Sequence, residues 1–88
     1  MDVDQIISDD GSSGYGDVII IASGSIVDVN NDSNANITGN NVTLTDGDGD
    51  SDRYTIGEPS DDLEIDAAGT VTCNTGDCSG AGEYVDEL

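Results

Sequence analysis

Short apolar segments separated by polar turns recur along the whole chain. Residues 41–45 (NVTLT) and 63–66 (LEID) each alternate apolar and polar side chains, which predicts strands with one buried face. Residues 17–22 (DVIIIA) hold several apolar residues in a row, which predicts a strand buried on both faces. No window sustains the period of a helix, so the pattern predicts an all-β chain.

Turn-forming residues set the ends of the predicted strands. Only Ser23 and Gly24 lie between the strand at 17–22 and the next apolar segment at 25–29. Since no Asn-Gly or Asp-Gly pair is present there, this break predicts a corner and not a hairpin. Residues 1–16 hold one apolar patch followed by Ser, Asp and Gly, and we expect this N-terminal segment to be less regular. Further short strands are predicted at 37–38, 53–56, 70–73 and 83–85.

The predicted strands recur with a loose period. Their centres lie near residues 20, 43, 64 and 84, a spacing within the range of solenoid repeats. Only 34% of the 88 residues are hydrophobic, with three Tyr and no Phe or Trp, which is too little bulk for the core of a sandwich. A β-solenoid needs only a thin row of small aliphatic residues per coil, because each coil stacks on its neighbours. We therefore expect residues 1–88 to form a single β-solenoid module of about three to four short coils.

The charge balance excludes several functions. Twenty acidic residues stand against one basic residue, Arg53, and the formal net charge is −19. Contacts to nucleic-acid phosphates need Lys and Arg, so we expect no binding to nucleic acid. No apolar stretch approaches the ~20 residues of a membrane helix, so we expect no membrane insertion. Such a chain repels itself unless salt or cations screen it, and we expect its carboxylates to serve chiefly as a solvated surface.

Several segments share a further pattern. Residues 37–45 (ITGNNVTLT), 63–66 (LEID) and 69–72 (GTVT) resemble repeats of the filamentous haemagglutinin type, which occur in very large secreted bacterial adhesins and exoproteins. Residues 16–26 resemble the same repeats. The resemblance implies a right-handed parallel β-helix at an extracellular or cell-surface location, with adhesive or fibrous roles and no catalytic residues. The chain departs from this family in its small size, its acidic loop and its cysteine pair.

The densest group of candidate ligands is the acidic loop at 46–52 (DGDGDSD). Its carboxylates alternate with small residues and could wrap a hard cation such as Ca²⁺, the only cofactor that the sequence leaves open. An EF-hand that began at Asp46 would need Gly and Glu where this chain has Ser51 and Gly57, so that motif is absent. We expect diffuse screening by cations over a specific Ca²⁺ site. The candidate ligands are Asp46, Asp48, Asp50 and Asp52.

The two cysteines, Cys73 and Cys78, are close in sequence, with Gly76 between them to allow a turn. A disulfide that closes so short a loop is geometrically reasonable and fits an oxidising compartment. Free thiols and a bond to a neighbouring subunit are the alternatives. A metal site would need further Cys or His ligands, and the chain has none. We favour the local disulfide.

Three Asn-x-Ser/Thr sequons begin at Asn31, Asn36 and Asn41. Each could carry a glycan in a secreted protein. Sequence rich in Asn and Thr also produces sequons by chance, and we expect chance to explain them.

The chain lacks the groups that catalysis needs. It has no His and no Lys, so a nucleophile would have no such base beside it. Carboxylates for glycoside hydrolysis are present by type, but three aromatic residues offer no cleft on which a sugar would stack. We predict that the protein is not an enzyme.

The function predicted is therefore that of a structural or adhesive extracellular module. Its copies, or neighbouring repeats, would stack head to tail through exposed sheet edges into a filament or a long repeat array. The alternative is an acidic binding module, which is either a Ca²⁺-dependent domain or a nucleic-acid mimic that binds a basic partner.

Overall fold

The computed structural model describes residues 2–3, 5–8, 14–29, 34–47, 54–74, 76–78, 80 and 82–88. These residues contain short strands and no helix, so the all-β prediction is confirmed. The strands are β1 (Asp2–Val3), β2 (Ile6–Ile7), β3 (Val18–Ile21), β4 (Val27–Asp28), β5 (Ile37–Gly39), β6 (Val42–Thr45), β7 (Leu63–Ala67), β8 (Val71–Cys73) and β9 (Val85–Glu87).

Every pair of these strands is parallel, as predicted. They form a two-stranded sheet β1-β4, a four-stranded sheet β2-β5-β7-β9 and a three-stranded sheet β3-β6-β8. In each sheet the strands are ordered as they occur in the chain, so the chain visits the sheets in turn and then returns to lay the next strand beside the last. We call each such round a pass. Pass 1 holds β1 to β3, pass 2 holds β4 to β6, pass 3 holds β7 and β8, and pass 4 holds β9.

The register stacks similar apolar residues in columns that cross the passes. Val18 pairs with Val42, and Val42 pairs with Val71. All three side chains are buried, as are those of the neighbouring column, Ile20, Leu44 and Cys73. Small β-branched residues suit such columns, because they pack closely against like residues on the next strand. The core is thus built from one row of aliphatic residues per pass.

The strand at 17–22 is not buried on both faces, so that prediction was wrong. Val18 and Ile20 are buried, whereas Ile19 and Ile21 are 71% and 77% exposed. The strand alternates like its neighbours because only one of its faces meets the core. The predicted corner at Ser23 and Gly24 agrees with the structure, since β3 and β4 on either side of it belong to different sheets.

The strands do not stack in the order that the loose period of strand centres predicts. Residue 44 does stack on residue 20, but the next residue in that column is Cys73 and not a residue near 64. Ile65 instead stacks on Ile37 in the four-stranded sheet. Loops of different length at the corners shift the spacing without changing the strands, because stacking constrains only the strand residues.

The described chain measures 39 × 25 × 20 Å, with a radius of gyration of 11.9 Å. That radius matches the value of about 12 Å expected for a globular domain of this length. Passes 1 to 3 supply the buried residues of one contiguous hydrophobic core, and Val85 of pass 4 packs against it while only partly buried. The few passes therefore give a body of ordinary compactness.

Candidate functional site

The outer edge of β3 has no partner strand among the residues that the structure describes. Val18 N donates to Asn41 O at 2.8 Å, and Ala22 N donates to Thr45 O at 2.9 Å. Alternate residues of a strand direct their backbone groups to opposite sides. The N–H and C=O groups of Ile19 and Ile21 consequently face away from β6. Within the described ranges, no strand pairs with β3 on that side.

The side chains of the β3 edge are apolar as well. Ile19 and Ile21 project from the sheet into solvent, and residues 18–22 carry no charge in a chain with a net charge of −19. An exposed, uncharged and apolar edge strand is a template for the addition of another strand. This edge is one candidate functional surface.

The opposite edge of the same sheet, on β8, is covered at its last residue. Val42 N donates to Thr70 O at 2.9 Å, and Asn74 N donates to Leu44 O at 2.8 Å, so the backbone of Cys73 faces away from β6. There Cys73 N donates to Gly76 O at 2.8 Å, and Gly76 N donates to Cys73 O at 2.7 Å. The chain after β8 thus folds back and occupies the edge groups of its last residue.

A disulfide holds this returning segment in place. Cys73 and Cys78 are bonded, with their Cα atoms 4.8 Å apart, and both side chains are buried. This is the local pairing that the sequence analysis favoured. Asn74 and Cys78 adopt positive φ angles of 45° and 68°, which fold the backbone sharply enough to bring Gly76 back to the strand. We call residues 73–78 the disulfide cap.

Polar side chains link the passes at a corner before the three-stranded sheet. Asp17 Oδ1 accepts hydrogen bonds from Asn41 N at 3.1 Å and from Asn40 Nδ2 at 3.3 Å. Asn41 Oδ1 accepts from Thr70 N at 3.0 Å and from Thr70 Oγ1 at 3.2 Å. These bonds run from pass 1 to pass 2 and from pass 2 to pass 3, so this ladder joins the passes.

The three sequons differ in their surroundings. Asn31 lies outside the described residues. Asn41 is exposed, but its side-chain oxygen takes part in the ladder. Asn36 is only 1% exposed, so the folded protein offers no room for a glycan there. Burial thus excludes one of the three sites.

A second group of polar residues is buried where the two-stranded and four-stranded sheets meet. We call Asp28, Asn36 and Glu64 the acidic corner; each is less than a tenth exposed. Asn36 Nδ2 donates to Asp28 Oδ1 at 2.9 Å and to Val3 O at 3.3 Å, and Asn36 Oδ1 accepts from Glu64 N at 3.0 Å. Asn36 therefore contacts pass 1, pass 2 and pass 3.

Glu64 completes the acidic corner through its side chain. Its carboxyl group is hydrogen-bonded to the side chain of Asp28. Burial, the bond to Asp28 and the charges of Asp28, Asp61 and Asp86 raise the pKa of Glu64 from 4.5 to about 7. The alternation of 63–66 predicts Glu64 on the solvated face, so the sequence reasoning missed this site. The signal available was a pair of polar residues, Asn36 and Glu64, directly before Ile37 and Ile65.

The candidate metal ligands are mostly outside the described residues. Asp48, Asp50 and Asp52 belong to that undescribed part, and Asp46 alone can be located. Asp46 is buried, at 2% exposure, and its backbone N donates to Asn74 Oδ1 at 3.0 Å. The expectation of a solvated loop is therefore wrong for its first residue. Across the described ranges, no group of three or more His, Cys, Asp or Glu side chains could hold a metal ion.

No helix in the described part of the chain is long and apolar enough to cross a membrane.

Comparisons with known proteins found no relative of this chain. No protein-family model, no curated protein and no solved structure matches this chain.

Proposed function

We propose that this protein is a structural, non-enzymatic β-solenoid module, extracellular or on the cell surface, that stacks end to end with copies of itself or with neighbouring repeats. The observation that carries the proposal is the parallel register of β3, β6 and β8 and of β2, β5, β7 and β9. Strands that stack in chain order, pass upon pass, are what the coils of a solenoid would present, which supports the proposal. The resulting assembly would be a filament or a long repeat array with adhesive roles.

The apolar columns support stacking as the source of stability. A single pass offers only a few small aliphatic side chains, such as Val42 and Leu44 in pass 2, and buries them against the passes on either side. A terminal pass lacks one of these neighbours. Addition of another pass at an open end would therefore bury further apolar surface, which favours assembly by about 25 cal/mol for each Å² removed from water.

The two ends of the three-stranded sheet favour one direction of growth. The edge of β3 has open backbone groups at Ile19 and Ile21, whereas the disulfide cap occupies those of Cys73 on β8. Capping of a terminal pass is the usual way in which a solenoid prevents further stacking. We therefore infer that a strand of a neighbouring repeat, or the β3 edge of a second copy, adds at β3, and that stacking through this sheet ends at β8.

The disulfide and the charge of the chain bear on its setting. A bond between Cys73 and Cys78 persists in an oxidising compartment, which supports an extracellular location. A net charge of −19 on each copy opposes association at low salt. Salt or cations that screen this repulsion should therefore promote stacking.

Electron microscopy and sedimentation velocity of the purified chain, from low to high salt, test the proposal. We expect assemblies larger than a monomer, whose share rises with salt. Compact monodisperse particles at every salt concentration would contradict the proposed function.

Two variants at Ile19 test whether the β3 edge is the stacking surface. Ile19→Pro removes the N–H that faces the open edge and leaves the bonds of β3 to β6 in place, since proline is tolerated on an edge strand. Ile19→Thr keeps that N–H and is the matched control. We expect assembly to be lost in Ile19→Pro and retained in Ile19→Thr. Equal assembly of the two variants would exclude the β3 edge as the stacking surface.

A further inference from the structure

The acidic corner brings two buried carboxyl groups together. Asp28 and Glu64 are both buried and both bond to Asn36, Asp28 through its Oδ1 and Glu64 through its backbone N. An ionised carboxylate can only accept hydrogen bonds. A hydrogen bond between these two groups therefore requires that one of them carry the hydrogen, and the pair then holds a single negative charge.

The surrounding contacts indicate which group carries the proton. Asp28 Oδ1 accepts a hydrogen bond from Asn36 Nδ2 at 2.9 Å, and such a donor stabilises the ionised form of Asp28. Glu64 Oε1 is buried and accepts no hydrogen bond, so an ionised Glu64 would hold uncompensated charge away from water. The proton is therefore placed on Glu64, which donates to Asp28.

The other charged groups near Glu64 have the same sign. Asp61, before β7, and Asp86, on the neighbouring strand β9, both act on Glu64 together with Asp28. The only basic residue of the chain, Arg53, lies outside the described residues, and the chain has no His. In the described part of the molecule, ionisation of Glu64 would thus place its charge among three carboxylates and no cation.

We propose that Asp28 and Glu64 form a proton-binding site that locks passes 1, 2 and 3 together, and that loss of its proton loosens the acidic corner. Because the pair lies where three passes meet, loss of the proton would affect all three. Asn36 connects both acids to Val3 of β1, and β1 is a two-residue strand held by β4 alone in its sheet. Repulsion at the corner would first release this N-terminal strand.

The pH dependence follows from the proton count. The pKa of Glu64 is about 7 in the folded protein and near 4.5 in the unfolded chain. Between these values the folded state binds more protons than the unfolded state, so stability falls as pH rises. The contribution of Glu64 is therefore fully present below about pH 4.5, decreases from there and is lost above about pH 7.

Denaturant unfolding of the full chain over this pH range, with high salt to screen surface charge, tests the proposal. The variant Glu64→Gln keeps a donor toward Asp28 but cannot titrate. Asp66→Asn, an exposed carboxylate on the same strand β7, is the matched control. We expect the unfolding midpoint to fall with rising pH in the wild type and in Asp66→Asn. We expect a clearly smaller fall in Glu64→Gln.

A carbon-13 NMR titration of the Glu64 carboxyl group in the wild type gives an independent readout, even if Glu64→Gln fails to fold. A midpoint near 7 supports the site, whereas a midpoint near 4.5 overturns it. The same pH dependence in Glu64→Gln and wild type would also overturn it. Addition of Ca²⁺ at high pH distinguishes a proton site from a cation site. If Ca²⁺ restored the midpoint of the wild type but not of Glu64→Gln, the site would bind a cation and the proposal would be wrong.

Discussion

The three-stranded sheet and the acidic corner join the same passes of the chain with different chemistry. In the sheet, columns such as Ile20, Leu44 and Cys73 are wholly apolar and fully or nearly fully buried. At the corner, Asp28, Asn36 and Glu64 are almost as buried, yet every contact among them is polar. Apolar packing has no preferred direction, whereas each hydrogen bond at the corner needs one partner in one place.

This difference predicts how each region responds to substitutions and to pH. An apolar column depends on filled volume and is insensitive to pH, because none of its groups titrates in the folded protein. The corner depends on matched donors, acceptors and one proton, so it responds to substitutions and to pH changes that alter no volume. The following predictions, with the pH experiment on Glu64, separate these two kinds of dependence.

The largest effect is expected from Leu44→Ala in the apolar column. Leu44 is fully buried, so the truncation leaves a cavity and lowers the free energy of unfolding by about 3 kcal/mol. Urea unfolding followed by circular dichroism measures this loss. Thr43→Ala on the same strand is the control, because Thr43 is only partly buried, and it should cost less than about 1 kcal/mol. Equal losses would mean that the columns do not hold the sheet together.

A somewhat smaller effect is expected from Asn36→Ala at the acidic corner. The change leaves the buried N–H of Glu64 without its acceptor and removes the donor to Asp28, which should cost about 2 to 3 kcal/mol. The same urea experiment measures the loss. Asn40→Ala is the control, since Asn40 is less buried and its side chain makes a bond of 3.3 Å to Asp17. If Asn36→Ala were no worse than Asn40→Ala, the corner would be incidental to the fold.

Loss of the disulfide cap should lower the free energy of unfolding less than Leu44→Ala or Asn36→Ala. Closure of the short loop from Cys73 to Cys78 stabilises the chain by about 2 kcal/mol in the chain-entropy model. Treatment with a reductant should lower the unfolding midpoint accordingly and speed hydrogen exchange at the amide of Gly76. The double variant Cys73→Ala/Cys78→Ala should show no response to reductant. Protection of Gly76 that survived reduction unchanged would show that the backbone turn alone maintains the cap.

Local pattern was enough to predict part of the architecture. The alternation in 41–45 and 63–66 correctly indicates β6 and β7, and Ser23 with Gly24 correctly indicates a corner. Composition correctly indicates thin rows of aliphatic residues, and the parallel pairing agrees with what the resemblance to filamentous haemagglutinin repeats implies. These features depend on residues next to one another in the chain, and a single sequence contains that information.

Three features were missed because they depend on what covers a residue. The run at 17–22 reads as doubly buried, but no described element covers Ile19 and Ile21. Asp46 and Glu64 read as solvated, but contacts with distant segments bury both. The number of apolar residues in a strand does not show whether a second layer covers it. The residues next to a carboxylate in the sequence likewise do not show whether it is buried.

Local pattern is sufficient to predict that this chain forms short strands with small aliphatic cores, and that Cys73 and Cys78 are near enough to bond. The folded structure is needed to see which strand stacks on which, that no described strand covers the edge of β3 while the disulfide cap covers the last residue of β8, and that Asp28 meets Glu64. The two sets of features depend on interactions of different range. Strand formation follows from the alternation of neighbouring residues, whereas register, coverage and a shared proton arise between residues that the folded chain brings together.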